Sequence, residues 1–132
     1  MRPVIADTSV WAREHQQPVA ALLAAAVNAN VLATVAPLTL ELLRSARSAA
    51  ELALDATRFD ALRQIQISPS IARRAREVQA NLSWRGYHRG PSAVDLLAAA
   101  AAESVGAELW HCDRHFELIG EITGQPMRRV GA

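Results

Sequence analysis

Between Ala93 and Ala102 the chain offers one polar side chain, the carboxylate of Asp95. A segment this apolar has to be buried, yet an ionised acid is costly to bury unless something positive meets it. Any fold open to this sequence must satisfy both demands. The same conflict recurs at Asp7 in VIADTSV, at Glu41 in PLTLELLR and at Asp113 in LWHCDRHF, each acid standing almost alone in an apolar stretch. If the fold brings the four together, like charges about 4 Å apart repel by roughly 4 kcal/mol at an effective dielectric of about 20. Such a cluster either takes up protons or holds a hard divalent cation.

The pattern around these acids alternates between two periods. Short β-like runs at Pro3 to Ala6, Val31 to Val35, Glu108 to Cys112 and Met127 to Val130 are separated by alanine-rich segments with helical spacing. Helices are predicted at Val10 to His15, Pro18 to Ala29, Pro37 to Arg47, Ala49 to Gln64, Ser70 to Trp84, Ser92 to Val105 and Arg114 to Ile122. Pro18, Pro37 and Pro69 fall at helix starts, where a missing N–H is harmless, and Gly106 and Gly124 are natural stops. Alternation of this kind predicts a mostly parallel sheet covered on both faces and joined by right-handed crossovers.

With 132 residues and no linker, repeat or low-complexity tail, the whole chain, 1–132, reads as one domain able to build a core without staples. The single cysteine, Cys112, excludes an intrachain disulfide and a cysteine-rich zinc site and fits a reducing compartment. No apolar signal core precedes Asp7, and the uncharged run from Pro18 to Val27 is far short of the ~20 residues that span a bilayer, so a cytoplasmic location is expected. A net charge of +1 says nothing about a polyanionic partner. Every basic residue is arginine, which removes any mechanism that needs a lysine amine, from a P-loop to a Schiff base.

In open α/β sheets, ligands sit beyond the carboxyl ends of the strands. Asp7 and Asp113 each follow a predicted strand, Glu41 lies early in the helix after the second strand, and Asp95 lies in the first turn of the helix before the strand ending at Asp113. All four can share one edge, where helix N-termini favour ionised carboxylates. Each also has a plainer explanation. Asp7 and Asp113 can cap helices, Ser92 and Asp95 have capping-box spacing, and Glu41 can pair with Arg44. Capping does not explain why acids so far apart in sequence fall at one edge in apolar settings.

Along its whole length the chain resembles the PIN-domain ribonucleases, and among them the VapC toxins of toxin–antitoxin pairs. Asp7 in VIADTSV matches the strand followed by Asp-x-Ser/Thr, and Glu41 in PLTLELLR matches the helix-borne glutamate. Asp95 in AVDLLAAAAA and Asp113 in HCDRHFELI match the third and fourth acids, with Phe116 at the usual aromatic place. The resemblance implies a three-layer α/β/α fold around a mostly parallel sheet of four to five strands. It implies an endoribonuclease leaving 5′-phosphate and 3′-hydroxyl ends, a small antitoxin of VapB type as partner, and a homodimer. Two positions depart from the pattern: His115 stands where many relatives have a further acid, and His111 where they have Thr or Ser.

An all-oxygen site prefers Mg²⁺, with Mn²⁺ as a substitute, and a metal-activated water makes a covalent nucleophile unnecessary. Asp7, Asp95 and Asp113 are the expected ligands, Glu41 a ligand or water-orienting base, and Ser9 a hydroxyl that fixes a carboxylate or water. His115 is either a water-positioning or phosphate-contacting group or an exposed loop histidine. His111, Cys112 and His115 lack the second ligand pair a zinc site needs. The loop Arg85, Tyr87, His88 and Arg89 puts guanidinium and aromatic groups next to the Asp95 helix, as RNA contact requires. For Arg73, Arg74 and Arg76 a solvated helix face is expected, and for Trp84 a place in the core; Trp11 is divided between core packing and a groove for a partner. Two other functions fit the same residues: a PIN nuclease of RNA maturation without a toxin role, and a PIN-like binding module whose changes at His111 and His115 have abolished metal binding.

Overall fold

The computed structural model describes residues 2–132. Among them are five strands and seven helices: β1 (Val4–Ala6), α1 (Thr8–Trp11), α2 (Gln17–Asn28), β2 (Leu32–Val35), α3 (Ala36–Leu43), α4 (Ala49–Asp60), β3 (Arg63–Ile65), α5 (Pro69–Trp84), α6 (Ala93–Ser104), β4 (Glu108–His111), α7 (Arg114–Thr123) and β5 (Met127–Arg129). The strands form one sheet in the order β3-β2-β1-β4-β5, and every neighbouring pair is parallel. The expected α/β architecture is therefore present, with the sheet wholly parallel. Every residue of β1 and β2 is buried, the continuous burial that a parallel sheet covered on both faces imposes.

Two expectations need correction. The helix predicted from Ala49 to Gln64 ends at Asp60, and Arg63–Ile65 form a strand that pairs Ala33 with Arg63 and Val35 with Ile65. Trp84 was expected in the core, yet it lies on the outer face of α5 and is 89% exposed.

The order of the strands matters more than their number. From β1 the chain steps outward to β2 and β3, then crosses back to β4 on the other side of β1 and on to β5. With right-handed crossovers this reversal puts α5, α6 and α7 on the face opposite α2, and α5, α6 and α7 pack against one another. It also opens a crevice between the carboxyl ends of β1 and β4, the switch point of the sheet.

The alanine run now has a reason. α6 packs on β1 and β4 and is flanked by α3, α5 and α7. Ala98 through Ala102 are all buried. A helix surrounded on every side is apolar all round, and methyl side chains let three helices and a sheet approach it closely.

Helix ends are set by local chemistry. Ser48 and Ser68 cap α4 and α5 by accepting hydrogen bonds from the Glu51 and Ile71 amides (3.1 and 3.2 Å), and Pro69 occupies the first turn of α5. Gly124 ends α7 at φ 66°, a left-handed conformation that favours glycine. Among the described residues no helix is long and apolar enough to cross a membrane.

Candidate metal centre at the switch point of the sheet

Asp7 is the first residue past β1, and β1 pairs in register with β4, Ala6 opposite Trp110. Its backbone N–H donates to the Trp110 carbonyl (2.9 Å), which extends the pairing by one step and pins Asp7 over the crevice. Ser9 reinforces that position from the side chain. Its hydroxyl donates to Asp7 Oδ2 (2.7 Å) and accepts from the Cys112 amide (2.9 Å), so one oxygen ties the ends of both strands together.

The acids do serve as caps. Asp7 Oδ2 accepts from the Ser9 amide (3.0 Å), Asp113 Oδ1 from the His115 amide (3.0 Å), and Asp95 Oδ2 from the Ser92 amide (2.9 Å) in a complete capping box. Capping and clustering do not compete, because a carboxylate oxygen that accepts one hydrogen bond keeps a second lone pair for another partner. Glu41 does not follow its plainer reading: instead of an ion pair with Arg44, its Oε1 accepts from the Thr8 hydroxyl at 2.5 Å, next to Asp7 in the chain.

The acids lie close enough for their charges to act on one another. Burial pushes the Asp7 carboxyl above the ordinary carboxylate range against the pull of its Ser9 hydrogen bonds, and the charge of Glu41 adds to the rise. Burial raises Asp95 likewise, and the charges of Asp7 and Asp113 push it further. Asp95, Asp113 and His115 each present a ligand atom within 4.8 Å of the other two. Asp7 is 3% exposed, and its Oδ1 is buried without a hydrogen-bond partner. An unpartnered, buried carboxylate oxygen beside further acids is a donor of the kind a hard cation takes. The donor set, carboxylate oxygens with one imidazole beside them, fits a divalent ion.

The two histidines separate. His111 is buried on β4, its ring stacked on Phe116 at 5.5 Å, and its Nδ1 accepts from the Asp113 amide (3.3 Å). Burial, with the Arg129 charge, holds its pKa below the usual value. It is a neutral ring that shapes the turn bearing Asp113. His115 lies open to the acids, its Nδ1 3.6 Å from Asp113 Oδ1 and 3.9 Å from Asp95 Oδ2. Nothing in the one-dimensional spacing shows this approach, because it depends on the starts of α6 and α7 lying side by side.

The loop after α5 is exposed from Arg85 to Arg89 and reaches the acids through Gly90, where an added Cβ would lie 3.4 Å from the His115 ring. Arg85 is paired with Glu121 (3.2 Å). Arg74 is paired with Glu103 (2.7 Å).

A second concavity lies on the α2 side. Trp11, Leu23, Val27, Arg58 and Leu62 line a groove of about 450 Å³ between α2 and α4. Trp11 is its floor: the ring meets Phe59 edge-on at 5.2 Å, lies under Arg58 at 4.9 Å, and its Nε1 donates to the Ala6 carbonyl (3.1 Å). Both readings of Trp11 hold at once, packed below and groove-lining above. A smaller cavity of about 270 Å³ shares Trp11, Glu14 and Arg58 with it and extends to Thr8, the residue that holds Glu41. The groove thus leads toward the acids.

The PIN domain family profile matches residues 4–122. The chain is 35% identical to Ribonuclease VapC18 of Mycobacterium tuberculosis over 91% of its length and 89% of that protein's. It is 35% identical to Ribonuclease VapC21 of the same organism over 96% and 92%. Its fold is similar to that in the crystal structure of DNA-bound VapBC from Salmonella typhimurium, with a TM-score of 0.76 at 18% identity over 98% of each chain.

Proposed function

The chain belongs to the PIN-domain family, and on that premise we propose that it is a metal-dependent endoribonuclease, the toxin of a toxin–antitoxin pair. The observation that carries the chemistry is the meeting of Asp95, Asp113 and His115, whose ligand atoms lie within 4.8 Å of one another, with the buried, unpartnered Asp7 Oδ1 near enough for its charge to act on Asp95. Relatives named ribonuclease support the reaction, and similarity to a VapBC complex supports a VapB-type partner.

Asp7, Asp95 and Asp113 hold the ion, Mg²⁺ or Mn²⁺. Bound there, it supplies an activated water and offsets charge on the phosphate oxygens. Ser9 keeps one Asp7 oxygen fixed so that the other is committed to the ion. Glu41, steadied by Thr8, stands beside Asp7 as a second-side ligand or as the base that orients and deprotonates water. Arg85, Tyr87, His88 and Arg89 form an exposed stacking and phosphate-contacting rim for single-stranded RNA. The groove between α2 and α4 is the seat of the antitoxin, whose chain reaches the acids past Trp11 and Thr8. The enzyme works in the cytoplasm and as a homodimer.

The test is incubation of purified protein with a structured RNA pool with Mg²⁺, with Mn²⁺ and with chelator, the ends being mapped. Cleavage should need the ion, leave 5′-phosphates, and vanish in Asp95→Asn while that variant keeps its metal-free melting temperature. An Asp95→Asn protein that unfolds without metal would mean the acid is there for capping alone. Saturable metal binding without cleavage of any RNA would point to a binding module instead.

A further inference from the structure

We propose that His115 is itself a metal ligand, through Nδ1, and that this nitrogen biases the site toward Mn²⁺ over Mg²⁺. The inference rests on the carboxylate centre proposed above and adds to it a donor of a different class.

The ring nitrogen sits 3.6 Å from Asp113 Oδ1 and 3.9 Å from Asp95 Oδ2. Both separations are too long for hydrogen bonds. They are what ligands of a common ion need: with bonds of about 2.0–2.1 Å in an octahedral shell, ligand atoms lie about 2.9 to 4.2 Å apart. The backbone of His115 and one edge of its ring are both held. The His115 amide donates to Asp113 Oδ1 at 3.0 Å, and Gly90 packs at the Cδ2–Nε2 edge, where an added Cβ would come within 3.4 and 3.5 Å. That contact occupies the far edge of the imidazole and leaves Nδ1 on the acid side. Independently, Asp7 Oδ1, in a residue 3% exposed and without a hydrogen-bond partner, offers a further donor beside Asp95.

The consequence for selectivity follows from ligand type. Mg²⁺ is served by oxygen and gains little from nitrogen, whereas first-row transition ions accept imidazole beside carboxylate, and Mn²⁺ is the one of them that also substitutes for Mg²⁺ in oxygen-rich sites. A carboxylate in place of His115 should reverse the bias.

Metal-free protein titrated with Mn²⁺ and followed by electron paramagnetic resonance gives the affinity, and pulsed measurements of the bound ion show whether a ¹⁴N nucleus is coordinated. The wild type should show nitrogen coupling, lost in both His115→Gln and His115→Asp. The Mn²⁺-to-Mg²⁺ affinity ratio, from competition, should fall on the order of tenfold in His115→Asp. Circular dichroism confirms that each variant is folded. Mn²⁺ bound tightly without nitrogen coupling, or coupling that persists in His115→Gln, overturns the role of His115 and leaves the carboxylate centre standing. Absence of saturable Mn²⁺ binding in folded wild type overturns the centre itself, and His115 with it.

Discussion

Asp7 has to keep a charge where water does not reach, and the cost shows in its raised pKa. In the unfolded chain the carboxyl titrates at about 3.9; in the fold it holds its proton to higher pH. Between those values the native state binds more protons than the unfolded state, so stability declines as pH rises through that window and levels off above the folded pKa. Metal-free wild type should therefore lose melting temperature relative to Asp7→Asn between acidic and neutral pH. A difference that moves the other way would mean that the charged form is already compensated inside the protein. Ser9 carries a different load. Ser9→Ala removes the donor to Asp7 Oδ2 and leaves the Cys112 amide without its acceptor, and should cost about 1–3 kcal/mol in urea denaturation; an unchanged midpoint would mean that water replaces the hydroxyl. At this scale the sequence was informative where chemistry was out of place: lone acids in apolar runs mark Asp7, Asp95 and Asp113 without any structure. It was silent on Glu41's partner, since Thr8 lies far off in the chain, and on which histidine is packed and which faces the acids.

Among the elements, α2 and α4 leave a groove whose apolar wall includes Val27, 49% exposed. A side chain at that position is free of the core, so Val27→Asp should leave thermal stability within about 0.5 kcal/mol of wild type. If the groove seats the antitoxin, the same change should weaken the co-purified complex by tenfold or more, the order expected for burying an unpaired charge. Equal affinity by calorimetry would place the partner elsewhere. Trp11, though it lines the same groove, would be a poor probe, because its packing on Phe59 and its hydrogen bond to Ala6 tie it to the fold. The elements were legible in proportion to how local their causes are. First-turn prolines and the stop at Gly124 placed helix ends within a few residues. β3 was missed because Leu62 and Ile65 keep helical spacing after Phe59, while Arg63 and Gln64 are exposed on an edge strand. Only pairing with β2 makes that segment extended, and pairing is not local. Trp84 was misplaced for an avoidable reason: Ile71, Ala75, Val78 and Leu82 set the inner stripe of α5, and Trp84 falls off it.

The molecule as a whole is organised around one unfavourable term. Reversal of the strand order between β3 and β4 brings β1 and β4 together, and with them the start of α6, so acids distant in sequence converge because the topology gives them no other place. The apolar sheet and the alanine-packed α6 supply the stability that such convergence costs. A fold that tolerates mutual repulsion without ligand should gain when a cation arrives, since the ion binds the native arrangement and not the unfolded chain. At a concentration of 100 times Kd the gain is about 2.7 kcal/mol, which for a domain of this size raises Tm on the order of 10 °C. Differential scanning fluorimetry in chelator and then in excess Mn²⁺ measures it. The rise should shrink in Asp7→Asn and Asp95→Asn, whose metal-free melting temperatures should match or exceed that of the wild type. A rise of equal size in wild type and both variants would place the ion outside the crevice and remove the physical reason for the acids to meet.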